Sequence, residues 1–360
     1  MSQTTKHRAL RAFAVSCLVL LIGSTTAGQT VVRALIDRPD YTVYSNEVGR
    51  AVDEAQHSIH VLLSNCEVDG SDLVERLITA HRRGIAVHVV LDASDWAPSM
   101  TERNRPAYRA LSAAGVDVVF DDPDVTAHAK LVVVDRQTVF VGSTHWNRYA
   151  LTDHRQADIC IVDPRIGDVF AEYVERIRHG KLPAEGLEIA GAPAGPAVIA
   201  LPDTAGTCLY ATMVLDLLRS ARISVHIIMY RASVYPQYAD SLSNRLVDAV
   251  CDAARRGLDV RVLLDDCQSY PESAEANLMA ALVMAERGVD VRLDSPGQTT
   301  HAKMVLIDGE TLVIGSTNWN YYALERNVET SVALIGIPAV AAPYEAFFEH
   351  LWSEGRRPGG

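Results

Sequence analysis

The chain has 360 residues and a formal net charge of −12 at pH 7. This length leaves room for two units of ordinary domain size, each with a substantial core. The acidic balance counts against a protein that binds nucleic acid through a broad basic face.

The amino terminus predicts a secretory leader. Lys6, Arg8 and Arg11 precede an apolar run over residues 12–22, and small residues end at Ala27. This order is typical of a signal peptide cleaved after Ala27, and the run is too short to span a bilayer. Loss of residues 1–27 removes three basic and no acidic side chains, so the formal charge moves from −12 to −15. We therefore expect a secreted or periplasmic protein, with an uncleaved anchor as the weaker alternative.

After the leader, short apolar β-branched runs alternate with helical stretches. In the first half, the runs at 59–63, 87–91 and 116–120 are separated by helical stretches at 72–83 and 105–114. This alternation predicts an α/β fold with parallel strands and helices on both faces of the sheet. A glycine stands between helix and strand, where a left-handed cap is expected, at Gly84, Gly115, Gly257 and Gly288.

A change in composition divides the chain. Residues 181–202 are rich in Pro, Ala and Gly and show neither helical nor strand periodicity. They predict a linker between a first unit, 28–180, and a second unit, 203–360.

Both units carry the same motif. His128-Ala-Lys130 is followed by Asp135 and Gly142-Ser143, and His301-Ala-Lys303 by Asp308 and Gly315-Ser316, at an offset of 173 residues (301 − 128). Five fixed residues per copy would recur by chance at a given start on the order of once in a million. The flanking sequence repeats at the same offset, so a whole structural unit is duplicated.

The sequence indicates neither a disulfide framework nor a metal site. Five cysteines remain after the leader, an odd number at irregular spacing, which does not predict a disulfide framework. No Cys-x-x-Cys or His-Glu-x-x-His spacing occurs, so we expect no metal site and no cofactor. His60, His88 and His226 lie on predicted strands, and we interpret them as core histidines.

Each motif places its basic side chains on one face. A buried strand follows each motif His, and alternate side chains of a strand share a face, so His128 and Lys130 point the same way. The equivalent pair is His301 and Lys303. The candidate catalytic set also includes Asp135 and Asp308, seven residues after each His, which we interpret as supports that organise the following turn. Asp308-Gly309 predicts a two-residue hairpin turn before a strand at 311–314.

Two imidazoles, each beside an ammonium group, suit a reaction at phosphorus. One His can attack phosphorus while the other protonates the leaving oxygen and then deprotonates water. Lys130 and Lys303 would stabilise the non-bridging oxygens, and the hydroxyls of Ser143 and Ser316 would add hydrogen bonds.

Both motifs resemble the H-x-K-x4-D-x6-G-S signature of the phospholipase D superfamily, and the resemblance covers nearly all of the mature chain. It implies two α/β sandwich halves related by a pseudo-twofold axis, with both motifs in one site. It also implies a phosphohistidine intermediate, no obligatory metal, and His128 as the nucleophile with His301 as the acid/base. Two motifs in one chain would make the monomer active.

The resemblance implies further site residues. Asn318, three residues after the motif Gly, would bind phosphate, and Glu329, fourteen residues after it, would orient a catalytic His. The first half departs from this pattern because His145 stands where Asn is expected and the carboxylate equivalent is Asp158. Asn147 is a candidate to compensate for the missing Asn.

The substrate class is less determined than the chemistry. Acidic residues precede both motifs, at Asp121, Asp122 and Asp124 and at Asp294, and acidic rims favour a cationic head group over a polyanion. The favoured function is therefore hydrolysis of a phospholipid, for example phosphatidylcholine, to phosphatidic acid at a membrane surface. The alternatives are a secreted metal-independent nuclease and a non-catalytic binder of phosphate ligands. Cardiolipin synthesis is disfavoured because cardiolipin synthases of the superfamily usually carry membrane spans.

Overall fold

A computed structural model describes residues 20–25, 28–95, 97–181 and 195–359. The first half contains strands β1 (Leu20–Thr25), β2 (Gly28–Asp37), β3 (Ser58–Leu63), β4 (Ala86–Leu91), β5 (Asp117–Phe120), β6 (Lys130–Val134), β7 (Thr138–Gly142) and β8 (Gln156–Val162). Its helices are α1 (Tyr44–Glu54), α2 (Leu73–Arg82), α3 (Pro98–Ala113), α4 (Arg148–Thr152) and α5 (Pro164–Arg178).

The second half repeats this order. Its strands are β9 (Ala197–Asp203), β10 (Ser224–Met229), β11 (Asp259–Leu264), β12 (Asp290–Leu293), β13 (Lys303–Ile307), β14 (Thr311–Gly315) and β15 (Glu329–Ile335). Its helices are α6 (Leu209–Ser220), α7 (Leu242–Arg255), α8 (Pro271–Glu286), α9 (Tyr321–Glu325) and α10 (Pro338–Glu354).

Each half forms one mixed sheet, and the two sheets share one topology except that β1 has no counterpart among the described strands of the second half. The first sheet has the order β1-β2-β8-β7-β6-β3-β4-β5, and the second has β9-β15-β14-β13-β10-β11-β12. Only β3-β4-β5 and β10-β11-β12 are parallel, and the other neighbours are antiparallel. The α/β prediction is confirmed, but the prediction of parallel pairing holds for only part of each sheet.

The two sheets face each other across a shared core. Helices α5 and α10 lie in this middle layer, and each contacts a strand of the other half, β9 and β2 respectively. Two further apolar clusters cover the outer faces, one beneath α1, α2 and α3 and the other beneath α6, α7 and α8. The halves are therefore one continuous structure built on a pseudo-twofold axis.

Several local predictions are confirmed. The strands predicted at 59–63, 87–91 and 116–120 correspond to β3, β4 and β5 within two residues. The four helix-terminating glycines all have positive φ, between 85° and 90°, as a left-handed cap requires: Gly84, Gly115, Gly257 and Gly288. The five cysteines Cys66, Cys160, Cys208, Cys251 and Cys267 are unpaired.

Three local predictions are corrected. Helix α3 begins at Pro98 rather than at residue 105, because Pro98 at the first helical position starts a turn that has no apolar periodicity. The turn after β13 has three residues rather than two, because Ile307 pairs with Thr311. Strand β9 lies inside the predicted linker and pairs with β15 at the sheet edge, where proline is tolerated.

The other calls on the chain termini and the linker fall partly outside the described residues. Residues 1–19, 26 and 27 of the predicted leader and residues 182–194 of the predicted linker are not among them. Residues 20–25 form β1, which pairs with β2 at the edge of the first sheet. No helix in the described part of the chain is long and apolar enough to cross a bilayer.

Candidate active site

The two motifs meet because each half holds the backbone of the other. The amide of His128 donates to the carbonyl oxygen of Val328 at 2.9 Å, and the amide of His301 donates to that of Arg155 at 2.8 Å. Val328 and Arg155 are equivalent residues of the two halves (328 − 155 = 173). These reciprocal bonds bring His128, Lys130, His301 and Lys303 into one cleft between the sheets.

His128 is oriented by a carboxylate of the other half. Its Nδ1 lies 2.9 Å from both side-chain oxygens of Glu329. A carboxylate only accepts hydrogen bonds, so the proton of the neutral ring is on Nδ1 and the lone pair is on Nε2. Ser316 Oγ donates to Glu329 at 2.5 Å and Asn327 Nδ2 at 3.1 Å, so the carboxylate has a fixed position.

His301 has neutral partners instead. Its Nδ1 donates to the carbonyl oxygen of Ser143 at 2.9 Å and lies 3.3 Å from Gln156 Oε1. Ser143 Oγ donates to the same Gln156 oxygen at 2.7 Å. Gln156 stands fourteen residues after Gly142, so it is the equivalent of Glu329. His301 therefore also presents Nε2 to the cleft, but without a carboxylate behind it.

The assignment of Asp158 as the carboxylate equivalent was wrong. Asp158 accepts from the amide of Thr144 at 3.1 Å and from its hydroxyl at 2.5 Å, rather than from His301. Two residues farther along β8 displace a side chain by about 6.6 Å, out of reach of the imidazole. Burial raises the pKa of Asp158 to about 7.

Both lysines are buried in the cleft. Lys130 Nζ donates to the carbonyl oxygen of His128, and Lys303 Nζ donates to that of His301 at 2.6 Å. Burial lowers the pKa of Lys130 to about 7. Burial and the charge of Lys130 hold the pKa of Lys303 well below its usual range. Burial thus disfavours the charged form of both lysines. A phosphate group bound beside them would raise their pKa values and return both side chains to the ammonium form.

The same physical causes act on the motif histidines. Burial lowers the pKa of His128, although Glu329 opposes the shift. Burial and Lys303 lower the pKa of His301 much further. Burial would raise the pKa of Glu329, but the positive charges of His128 and Lys130 outweigh it and lower that pKa. His128 and Glu329 are therefore a charged pair once His128 becomes cationic.

Two more histidines line the cleft. The ring centroid of His145 lies 6.0 Å from that of His128 and 5.0 Å from that of His301, and its Nδ1 contacts Ser64 Oγ at 3.0 Å. His154 lies 6.3 Å from His301, and burial lowers its pKa to about 4. His154 was not among the residues predicted from the sequence. Its signal was available, because both histidines stand where the second half has Asn, at Asn318 and Asn327.

Tyr230 and Ser64 were also missed. The ring of Tyr230 lies 4.5 Å from that of His301, and Lys303 Nζ lies 4.6 Å from its centroid. The two residues occupy equivalent places at the ends of β10 and β3, so one half offers a large aromatic wall and the other a hydroxyl.

The remaining motif residues are supports. Asp135 and Asp308 lie at the far ends of β6 and β13, away from the histidines, which corrects their grouping with the catalytic residues. Asp135 accepts three backbone N–H groups of residues 56–58, and Asp308 three of residues 222–224, at 2.7 to 3.1 Å. They join the motif strand to the start of β3 or β10, as the local-support interpretation expected.

The side chains of Asn147 and Asn318 have different surroundings. Asn147 Oδ1 accepts from the amide of Ala150 at 2.9 Å and caps α4, so it does not replace the missing Asn. Asn318 is buried, and its Oδ1 has no hydrogen-bond partner within the described residues. That atom remains available for a ligand.

The acidic rim is smaller than the sequence suggested. Asp294 is fully buried and accepts from Arg155 Nη1 at 2.8 and 3.0 Å, so its charge is neutralised. Burial and Asp92 raise the pKa of Asp121 to about 8. Of the four acidic residues that precede the motifs, only Asp122 and Asp124 are exposed.

The family follows from a sequence profile as well as from the site. The profile described as "Cardiolipin synthase, PLD-like domain" matches residues 48–178 and 214–352. The chain therefore belongs to the phospholipase D-like family.

Individual relatives are distant. The chain is 23% identical to cardiolipin synthase A of Klebsiella pneumoniae over 309 residues, which cover 79% of this chain and 62% of the synthase. It is 26% identical to phospholipase D Y of Dictyostelium discoideum over 147 residues, 39% of this chain and 33% of that protein. The crystal structure of phosphatidylserine synthase from Haemophilus influenzae has the same fold, with a TM-score of 0.67, 14% identity, and coverage of 87% of this chain and 85% of that one.

Proposed function

We propose that this protein cleaves a phospholipid by phospholipase D chemistry, and that His128 is the nucleophile. The observation that carries the proposal is the reciprocal site, in which the Nδ1 contacts of both histidines leave two Nε2 atoms for one cleft. His128 Nε2 forms a bond to phosphorus, and the bond to the head-group oxygen breaks. His301, which is protonated on Nε2 when the phosphodiester anion is bound beside it, gives that oxygen its proton.

The second step reverses the proton transfer. His301 takes a proton from water, the water oxygen bonds to phosphorus, and the bond to His128 breaks to release phosphatidic acid. Lys130 and Lys303 stabilise the non-bridging oxygens throughout, and the side-chain NH₂ group of Asn318 donates to them. Ser143 and Ser316 orient the partners of the two histidines.

The charges behind the rings support this division of roles. A phosphorylated imidazole that keeps its Nδ1 proton is cationic, and the Glu329 carboxylate stabilises it. His301 has only a carbonyl and an amide oxygen behind it, so its proton is released more easily. That is the better arrangement for a group that gives and takes a proton in one cycle.

Surface features support a lipid substrate. Tyr149 and Tyr322 are equivalent residues, on helices that begin just after each motif, and are 65% and 63% exposed. Tyrosine favours the interface between water and lipid, so an exposed symmetric pair on the helices that follow the two motifs suits contact with a membrane surface. The formal charge of −12 also favours a lipid over a polyanion.

The second candidate function differs from the first in the molecule that accepts the phosphatidyl group. The relatives named above include two synthases, and a synthase of this chemistry would pass the phosphatidyl group to an alcohol instead of water. A secreted nuclease is the third candidate. A non-catalytic binder is disfavoured because both His and both Lys of the motifs are present.

Export and a monomeric active form belong to the same proposal. Both motifs lie in one chain and meet in one cleft, which supports an active monomer. Residues 1–27 would act as the leader, and the mass of the exported protein would show whether cleavage follows Ala27.

One competition experiment tests the function. The protein is incubated in EDTA with phosphatidylcholine vesicles, glycerol and a single-stranded oligonucleotide, and the products are identified by mass spectrometry. We expect phosphatidic acid, an intact oligonucleotide, and no product with His128→Ala or His301→Ala. Phosphatidylglycerol as the main product would support the transferase, and a shortened oligonucleotide with intact lipid would support the nuclease. Unchanged turnover in both variants would contradict the catalytic proposal as a whole.

A further inference from the structure

A second group of histidines lies in the first half, away from the cleft. His60 on β3 and His88 on β4 are directly paired across the parallel strands, and Glu175 on α5 packs over them. One ligand atom from each of the three lies within 4.8 Å of the other two. His60 Nε2 is 3.4 Å from Glu175 Oε1, and the two imidazole centroids are 5.2 Å apart.

The polar atoms of this cluster are incompletely satisfied. Glu175 Oε1, the atom that faces His60 Nε2, is buried and has no hydrogen-bond partner within the described residues. His60 is only 4% exposed, and its other ring nitrogen, Nδ1, also has no partner there. A buried polar atom without a partner costs free energy, so such atoms usually indicate a missing water, ion or ligand.

The neighbouring residues already hold the other atoms of the cluster. His88 Nδ1 lies 3.1 Å from Asp117 Oδ2, which leaves the lone pair of Nε2 for a ligand. Arg178 donates to Glu175 Oε2 at 2.7 Å and to Asp117 at 2.6 Å, which leaves Glu175 Oε1. A carboxylate behind a ligating His and a fixed carboxylate ligand are the usual surroundings of a protein metal site.

We propose that His60, His88 and Glu175 bind a divalent transition-metal ion of the zinc class, outside the active site. Two His and one Glu form a known zinc ligand set, with a fourth position for water. With metal–ligand bonds of ~2.0–2.1 Å, two ligands of a tetrahedral ion are roughly 3.3 Å apart. The separation of His60 Nε2 and Glu175 Oε1 matches this value. The ion would join two strands of the sheet to α5.

The second half supplies an internal comparison. His226 is the equivalent of His60, but Arg261 stands where the first half has His88. Arg261 Nη2 lies 2.8 Å from His226 Nε2 and 2.8 Å from Glu349 Oε1, so a guanidinium group links this His to the helix carboxylate. The second half thus has a built-in cation at the place where the first half has two imidazoles and an unpartnered oxygen.

Metal binding is measured directly, without an activity assay. The protein is stripped with EDTA, freed of chelator, equilibrated with Zn²⁺ and analysed by gel filtration with elemental mass spectrometry. We expect one zinc ion per chain for the wild type, and a melting temperature that rises with Zn²⁺. His88→Arg, which copies the second half, should remove both effects. His88→Gln should weaken binding at least tenfold and serves as the replacement if the Arg variant does not fold.

Two control variants separate this site from other histidines. His226→Gln changes the equivalent residue of the second half and should leave the zinc content at one ion per chain. His301→Asn and His128→Asn test the active-site cluster in the same way. The proposal is overturned if the wild type binds no zinc, or if the ion is lost with the active-site variants and retained by His88→Arg and His88→Gln.

Discussion

The carboxylate behind His128 offers the sharpest test of the division of roles. Glu329→Gln changes one oxygen into an NH₂ group and copies Gln156, the residue that the first half has at this position. The shape of the side chain is kept, so Ser316 retains an acceptor. What is lost is the negative charge 2.9 Å from His128 Nδ1.

The expected magnitude follows from that contact. An opposite charge within hydrogen-bond distance shifts a histidine pKa by about 1–3 units. At ~1.36 kcal/mol per unit, the cationic phosphohistidine loses ~1.4–4 kcal/mol of stabilisation. We therefore expect kcat/KM to fall by about 100-fold, within limits of about 10- and 1,000-fold. The pKa of His128 is already lowered by burial, and the loss of Glu329 lowers it further.

The assay is a pH profile of kcat/KM on a chromogenic phosphodiester, bis(4-nitrophenyl) phosphate. His128 must be unprotonated to attack, so a lower pKa moves the acid limb of the profile to lower pH. Gln156→Glu is the matched variant: it places a carboxylate near His301 and raises the pKa of that ring, but it should leave the acid limb in place, because the leaving group of this ester needs no acid. The reasoning is refuted if Glu329→Gln retains wild-type turnover, or if its acid limb moves to higher pH.

Three further predictions concern the covalent step, the motif glycine and the buried lysine. The chromogenic ester has a leaving group that needs no acid, so with this substrate His301→Asn should accumulate a phosphorylated protein, measured by intact mass, and His128→Asn should not. The opposite pattern would make His301 the nucleophile. Gly142→Ala places a Cβ 2.5 Å from the Asp158 Cα and should cost about 1–3 kcal/mol of unfolding free energy in urea, whereas Gly195→Ala meets no atom within 4 Å and should be neutral. Phosphate binding should raise the pKa of Lys130 from about 7, so the protein should take up protons at pH 7 when phosphate binds. Calorimetry in buffers of different ionisation enthalpy would detect this uptake as a buffer-dependent heat of binding, and a heat that does not depend on the buffer would contradict the prediction.

The sequence was sufficient for the motif side chains but not for their partners. Two copies at an offset of 173 residues identified His128, Lys130, His301 and Lys303, and a strand places each His and Lys on one face. Glu329 entered through the family pattern. Gln156 did not, because the family pattern has a carboxylate at this position, whereas an amide makes the corresponding contact with His301.

Strand direction was the main feature of the fold that periodicity could not provide. The alternation of elements correctly located β3, β4 and β5, which are parallel. The central antiparallel strands β6, β7, β13 and β14 are buried on both faces and consist mostly of apolar residues, so the pattern carries no sign of their direction. Strand β9 was missed because its alanines and Pro202 continue the composition of the linker.

Two of the differences between the copies lie where the chemistry requires the halves to differ. A duplicated site begins with equivalent halves, but in-line displacement needs a nucleophile on one side of phosphorus and a proton donor on the other. The distant supports are the same in both halves, since Asp135 and Asp308 make the same backbone contacts. The residues near the catalytic rings are not the same. Gln156 of the first half is the equivalent of Glu329 of the second, and His145 is the equivalent of Asn318. A structural role can be filled by the same residue in both halves. The roles of nucleophile and proton donor are opposite, and they favour different residues at the positions that set the charge of each His.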